Sequence, residues 1–190
     1  MKKQLTLVAV ASLLMASHSF AQTPSYNYVE GGLALYPGAT DADQTFIGPT
    51  GRGAMELEEL TGIDNLFAYG GLTYLTDDFD YTNFHAGIGY AHFLDAQTSV
   101  WGGGNIEYQK LSFSGFSSSD TSIALRGGIR HQLNQDLEVG GGLRLVTGDW
   151  DYLGLSGTAR YQLQDNLYAL AEVDIWDGDV GVIGGVGMTF

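Results

Sequence analysis

The sequence predicts an all-β protein folded as a transmembrane antiparallel up-and-down β-barrel of ten strands. Three observations carry this expectation. The last eleven residues alternate strictly and end on an aromatic, a turn motif recurs every 30 to 39 residues, and the arginines of the later strands share one parity.

In the last segment, Val180, Val182, Gly184, Val186, Met188 and Phe190 form one face, and Gly181, Ile183, Gly185, Gly187 and Thr189 the other. A period of two belongs to a strand with two different faces. An apolar face about ten residues long fits a tilted strand crossing a bilayer, where a helix needs about twenty. This strand is expected to close the barrel, with Phe190 facing lipid at the periplasmic rim. An edge strand of a soluble Gly-rich protein would alternate too, but the start of the chain argues against it.

Residues 1–21 have the three parts of a secretory signal peptide. Lys2 and Lys3 are the charged end, Leu5 to Met15 the apolar run, and Ser19-Phe20-Ala21 a small-residue cleavage site. Eleven apolar residues are too few to span a bilayer as a helix. Residues 22–190 are then the mature chain, a length that suits one domain. Without Lys2 and Lys3 it has 6 Lys/Arg against 22 Asp/Glu, a formal charge of −16. That excludes nucleic acid as a partner, because binding phosphates needs a basic surface. With no Cys there is no disulfide framework, thiol chemistry or lipoprotein anchor. A barrel strand dilutes its lipid face with an inward polar face, which explains a mean hydropathy near zero.

The recurring motif is a large apolar residue, a short turn with Asp or Asn, and a new alternating run. It occurs at residues 62–66, 93–97, 132–137 and 162–167, and each is a hairpin signal. Strands are expected at 26–35, 53–62, 66–76, 82–94, 98–112, 121–133, 136–147, 152–163, 166–176 and 180–190. Longer external loops should then cover 36–52, 77–81, 113–120, 148–151 and 177–179. The second strand is the weakest, since Met55-Glu56-Leu57-Glu58-Glu59-Leu60 also reads as a helical turn in a long first loop. On that reading the count falls to eight, because bacterial single-chain barrels have even numbers.

Aligned on their turns, the later strands put Ile123, Leu125, Leu143, Leu145, Leu153, Leu155, Val173 and Ile175 on one face. The other face collects Arg126, Arg130, Arg144, Arg160, Glu138, Glu172 and Asp174. The same register points Glu30, Glu56, Glu58, His85 and Glu107 inward. An Arg facing lipid at mid-bilayer costs about 2–4 kcal/mol, and parity spares all four strand arginines that cost. Tyr74, Phe84 and Tyr108 form an external aromatic girdle, and Tyr90, Tyr161 and Phe190 a periplasmic one.

The signal peptide, the alternating strands, Arg130-His131 and Arg160-Tyr161 before their turns, and terminal Phe190 resemble the small outer-membrane β-barrel family of Gram-negative bacteria. The resemblance covers residues 22–190. It implies location in the cell outer membrane, contact with its lipids and lipopolysaccharide, and a monomer. It also implies handling by periplasmic chaperones and the barrel assembly machinery, with Val186, Met188 and Phe190 as the assembly signal. It implies no activity.

Two candidate sites follow. The inward network of Arg126, Arg130, Arg144, Arg160, Glu30, Glu107, Glu138, Glu172 and Asp174 is either a plug of paired charges or the wall of a narrow aqueous path. Acids outnumber arginines inside on this reading, so a path would favour cations. The loops hold the second candidate: ten Asp, with Arg52 the one basic residue at their edge. Among them Asp149, Asp151, Asp177 and Asp179 form a possible weak Ca²⁺ or Mg²⁺ site, since hard cations take oxygen ligands; solvated loop surface is the plainer reading. No other cofactor is expected. An enzyme is not expected either: Asp77, Asp78 and Asp80 with His85 make a poor protease rim, and outward His92 and His131 lack the Ser of a lipid A deacylase. The expected role is structural or surface-interacting (envelope integrity, adhesion or resistance), with Phe79, Tyr81, Phe116, Trp150 and Trp176 as contact residues. The alternative is a narrow porin-like channel for small solutes or cations.

Overall fold

The computed structural model describes residues 23–39 and 44–190. The expected signal peptide 1–21 and the loop residues Asp41 and Asp43 lie outside the described residues. Ten strands form: β1 (Tyr28–Ala39), β2 (Gln44–Glu56), β3 (Leu66–Thr76), β4 (Asp80–Phe93), β5 (Thr98–Phe113), β6 (Phe116–Gln132), β7 (Leu137–Val146), β8 (Tyr152–Gln164), β9 (Leu167–Trp176) and β10 (Asp179–Thr189). Each pairs antiparallel with its sequence neighbours, and β10 returns to β1 to close the barrel. The closing ladder runs from Tyr28↔Thr189 to Leu35↔Val182, so the alternating last segment completes the sheet as expected. Closure leaves no unpaired strand edge, which a lipid environment requires.

The second strand departs from expectation. It covers Gln44–Glu56, not 53–62, and most of the expected first loop is sheet. Gly48-Pro49-Thr50 reads as a break because Pro has no N–H to give a ladder. Here the β2–β3 pairing skips Gly48 and Pro49 but resumes in the same register, from Thr50↔Thr73 to Ile47↔Thr76. Toward β1, Pro49 still sits opposite Leu33. The helical reading also holds in part, since Glu58–Thr61 forms a single turn, α1, closed by Gly62 at φ 70°. Glu58 therefore lies exposed in a turn on the side of the chain ends, not inside, and Glu56 is exposed at the same rim.

The external connections are short rather than long. Ser114 (φ 31°) with Gly115 (φ 86°), and Asp177 (φ 50°) with Gly178 (φ 97°), are two-residue hairpin turns. Positive φ at both central positions matches the twist of the flanking strands. Length goes into strands instead: β5 has 16 residues and β6 has 17.

The facing of the later strands is as the parity argument requires. Leu143, Leu145, Leu153, Leu155, Val173, Val180, Val182, Val186, Met188 and Phe190 are all exposed on the outer surface. Both girdles are present there, with Tyr74, Phe84 and Tyr108 toward one end and Tyr90, Tyr161 and Phe190 toward the other. Inside, β10 offers mostly small residues. A Cβ on Gly181 would run into the Tyr36 ring and one on Gly187 into the Tyr168 ring. The bare glycines let side chains from β1 and β9 meet across β10.

Candidate functional site

The lumen is filled in three layers. At the end that carries the chain termini, the segment before β1 folds into the mouth. Tyr26 is buried, stacks on Phe67 at 4.5 Å and shares a 3.0 Å hydrogen bond with the Ser99 hydroxyl. Phe67, Tyr69 and Trp101 pack edge to face beneath it, with centroids about 6 Å apart as such pairs prefer. The guanidinium of Arg130 lies 5.0 Å over the Tyr26 ring and donates to the Ser25 carbonyl. Sequence reading placed residue 26 in a strand and gave no sign of this cap.

The middle layer is a chain of six alternating charges. Glu172 accepts both terminal nitrogens of Arg52, at 3.1 and 2.6 Å. The Arg52 Nε donates to Glu30 at 2.5 Å, and Glu30 also accepts from Arg160 at 2.6 Å. Arg160 reaches Glu138 at 2.7 Å, and Glu138 holds Arg130 through two 2.9 Å bonds. Tyr168 donates to Glu30 and Thr158 to Glu172, so the carboxylates are saturated with donors. Arg52 on β2 meets Glu172 on β9, and Glu30 on β1 meets Arg160 on β8. These strands are not neighbours in the sheet, so the ties cross the lumen.

Two further pairs stand on the external side of this chain. Arg126 donates to Glu107 at 2.6 Å, and Tyr152 and Asn83 donate to the same carboxylate at 2.6 and 2.8 Å. Arg144 donates to Asp174 at 2.7 Å, and the Tyr36 hydroxyl donates to that oxygen at 2.6 Å. All nine lumen residues expected from the sequence are thus in one connected interior. The residue missed is Arg52, read as the edge of a loop. Its signal was available: from Phe46 to Ala54 every even position shares the inward parity.

Arg52 changes the charge count. Five guanidiniums (Arg52, Arg126, Arg130, Arg144, Arg160) face five carboxylates (Glu30, Glu107, Glu138, Glu172, Asp174). The expected excess of inward acid is therefore corrected to an even balance, since Glu56 and Glu58 belong to the rim. Removing one partner of a buried pair costs about 3–5 kcal/mol, so even pairing is what a packed lumen demands. A chamber of about 130 Å³ remains between the layers, lined by all five arginines with His85 and Trp101.

The third layer is aromatic and opens to the outside. Tyr36, Phe46, Leu75 and Tyr81 are buried with Phe79 and Trp176 against them, and Tyr152 packs with Ala124 and Val146 alongside. Above them lies a cavity of about 380 Å³.

The loop aspartates do not assemble as the divalent-site reading requires. Among the described residues no group of three or more His, Cys, Asp or Glu is placed to hold a metal ion. Asp151, Asp177 and Asp179 line the outer cavity, whereas Asp149 is not in its wall. Asp77 and Asp78, on another external connection, accept from the Thr45 backbone N–H and the Gln44 amide at 2.9 and 3.1 Å. His85 lies inside the barrel, beside Tyr69 and within 3.5 Å of Asn83, five residues down β4 from Asp80. No His–Asp couple forms there.

No protein-family model and no curated protein sequence matches this chain. Solved structures match it by shape. The NanC porin superposes with a TM-score of 0.51 at 11% identity, covering 86% of this chain and 99% of that one. The chain has the outer-membrane β-barrel fold. The KdgM porin in complex with disordered oligogalacturonate gives a TM-score of 0.48 at 12% identity, over 85% and 99% of the two chains. Neisserial surface protein A gives 0.45 at 14% identity, over 87% and 98%. At 11% identity the likeness to the NanC porin shows the fold alone, and any role must be read from this chain's own residues.

Proposed function

We propose that this protein is a barrel of the cell outer membrane whose lumen is sealed by its own side chains. On this reading it acts through its external face, in envelope integrity, attachment or resistance to external agents. One observation carries the proposal: the unbroken chain from Glu172 through Arg52, Glu30, Arg160 and Glu138 to Arg130, capped at one end by Tyr26 and at the other by the Tyr36–Trp176 layer. A solute path would require both aromatic layers to swing aside and several paired charges to separate. The even charge balance also removes the sequence-based reason to favour cations. Lipids and lipopolysaccharide surround the barrel on this reading, and the assembly machinery recognises the strand ending Val186, Met188, Phe190.

Proteoliposome swelling tests it. Liposomes carrying the protein should swell no faster in small sugars or amino acids than empty ones. Swelling in proportion to protein content would favour the porin-like alternative.

A further inference from the structure

The external cavity is not needed to seal the barrel, and its chemistry points to a ligand. Its volume, about 380 Å³, lies within the range of small-molecule sites. Its core is a set of rings that meet at angles around Trp176. Tyr81 lies 4.6 Å away tilted by 43°, Tyr152 5.6 Å away at 62°, and Tyr36 6.1 Å away at 77°. Phe46 and Phe79 add a second angled pair at 4.6 Å. Aromatic faces attract cations that lack strong hydration, and this cluster already holds one, since the Arg144 guanidinium lies 5.3 Å over the Tyr152 ring.

The polar groups settle the class of ligand. Each tyrosine hydroxyl is already committed downward: Tyr36 to Asp174, Tyr152 to Glu107, and Tyr81 to Gln109 at 3.0 Å. The Gln109 amide is committed as well, donating to the Trp150 carbonyl at 3.2 Å. A sugar would find few free hydrogen-bonding groups on these walls. An anion would meet the carboxylates of Asp151, Asp177 and Asp179 in the lining, which contains no Lys, Arg or His. A purely apolar guest would offer no counter-charge to Asp151 and Asp177. We propose that the external cavity binds small organic cations with an alkylated ammonium head, the head against the rings around Trp176 and the charge balanced by Asp151 and Asp177. The proposal goes beyond the sealed-lumen reading and does not depend on it, because ligand binding and conduction are separate readouts.

The test uses the full barrel in detergent, titrated with choline and with its uncharged isostere 3,3-dimethylbutan-1-ol, followed by tryptophan fluorescence. Trp150 and Trp176 line the cavity, while Trp101 sits in the opposite layer, so Trp101→Phe should keep the signal. Choline should give a saturable change, and the isostere should bind about tenfold more weakly or worse. Asp151→Asn with Asp177→Asn should weaken choline severalfold and flatten its salt dependence. Asn is chosen because Asp177 sits at φ 50°, which Asn tolerates. Phe79→Ala, in a turn outside the strands, should weaken choline while the protein keeps its folded gel mobility. Equal binding of choline and isostere, no saturable change, or indifference of the Asp variant would each overturn the proposal.

Discussion

Glu107→Gln is the sharpest perturbation of the lumen. Glu107 is fully buried and accepts from Arg126, Tyr152 and Asn83 at 2.6, 2.6 and 2.8 Å. Among the described ion pairs, Arg126 has no other carboxylate. The amide keeps the shape but removes the charge, and it turns an NH₂ toward groups that all donate. Arg126 is then a buried cation without its partner, and the expected loss is about 3–5 kcal/mol. Arg160→Met should cost less than Arg126→Met. Without Arg160, Glu30 keeps Arg52 and Glu138 keeps Arg130, whereas without Arg126, Glu107 has no cation. The double variant Glu107→Gln/Arg126→Met should recover most of the loss, because it removes both charges at once. Urea unfolding of barrels refolded in lipid vesicles, read by heat-modifiable gel mobility, gives the four corners of this cycle. A Glu107→Gln variant within about 1 kcal/mol of the parent, or strict additivity in the double variant, would refute the reasoning.

The remaining predictions are simpler. Single Cys at Leu143, Val173 or Val182 should react with a lipid-phase probe and Cys at Arg144 or Glu172 should not; equal labelling would contradict the facing of the strands. Deleting Phe190, or replacing it with Asp, should lower the amount of heat-modifiable protein in the outer membrane, because the closing strand loses an exposed apolar end; normal levels would argue against its role in assembly. Calorimetric titration with Ca²⁺ should show no saturable site, since among the described residues the external carboxylates are not grouped as ligands; a midpoint in the submillimolar range would mean the loops rearrange around the ion.

Much of this was legible because a barrel strand reports its facing residue by residue. Parity alone placed Arg126, Arg130, Arg144 and Arg160 inside, and the turn motifs placed β3 and β9 to within a residue of their observed ends. What was not legible has physical causes. Gly48-Pro49 looks like a loop because Pro cannot donate, yet the closed ladder on the β1 side carries it, and with it Arg52 enters the lumen. The Tyr26 cap depends on a contact with Phe67, 41 residues away in sequence, which no local pattern encodes. Cross-lumen partners such as Glu30 and Arg160 are set by barrel closure, not by spacing along the chain.

The central claim is that the six-charge chain and its two aromatic caps seal the lumen. Single-channel recording of the purified barrel in a planar bilayer tests it most directly. The parent should insert without steady conductance steps, while a variant lacking residues 22–27 and carrying Glu30→Ala, Arg160→Ala, Tyr36→Ala and Trp176→Ala, which removes the Tyr26 cap, cuts the chain and opens the external aromatic layer, should conduct. Steady, uniform openings in the parent would contradict the claim.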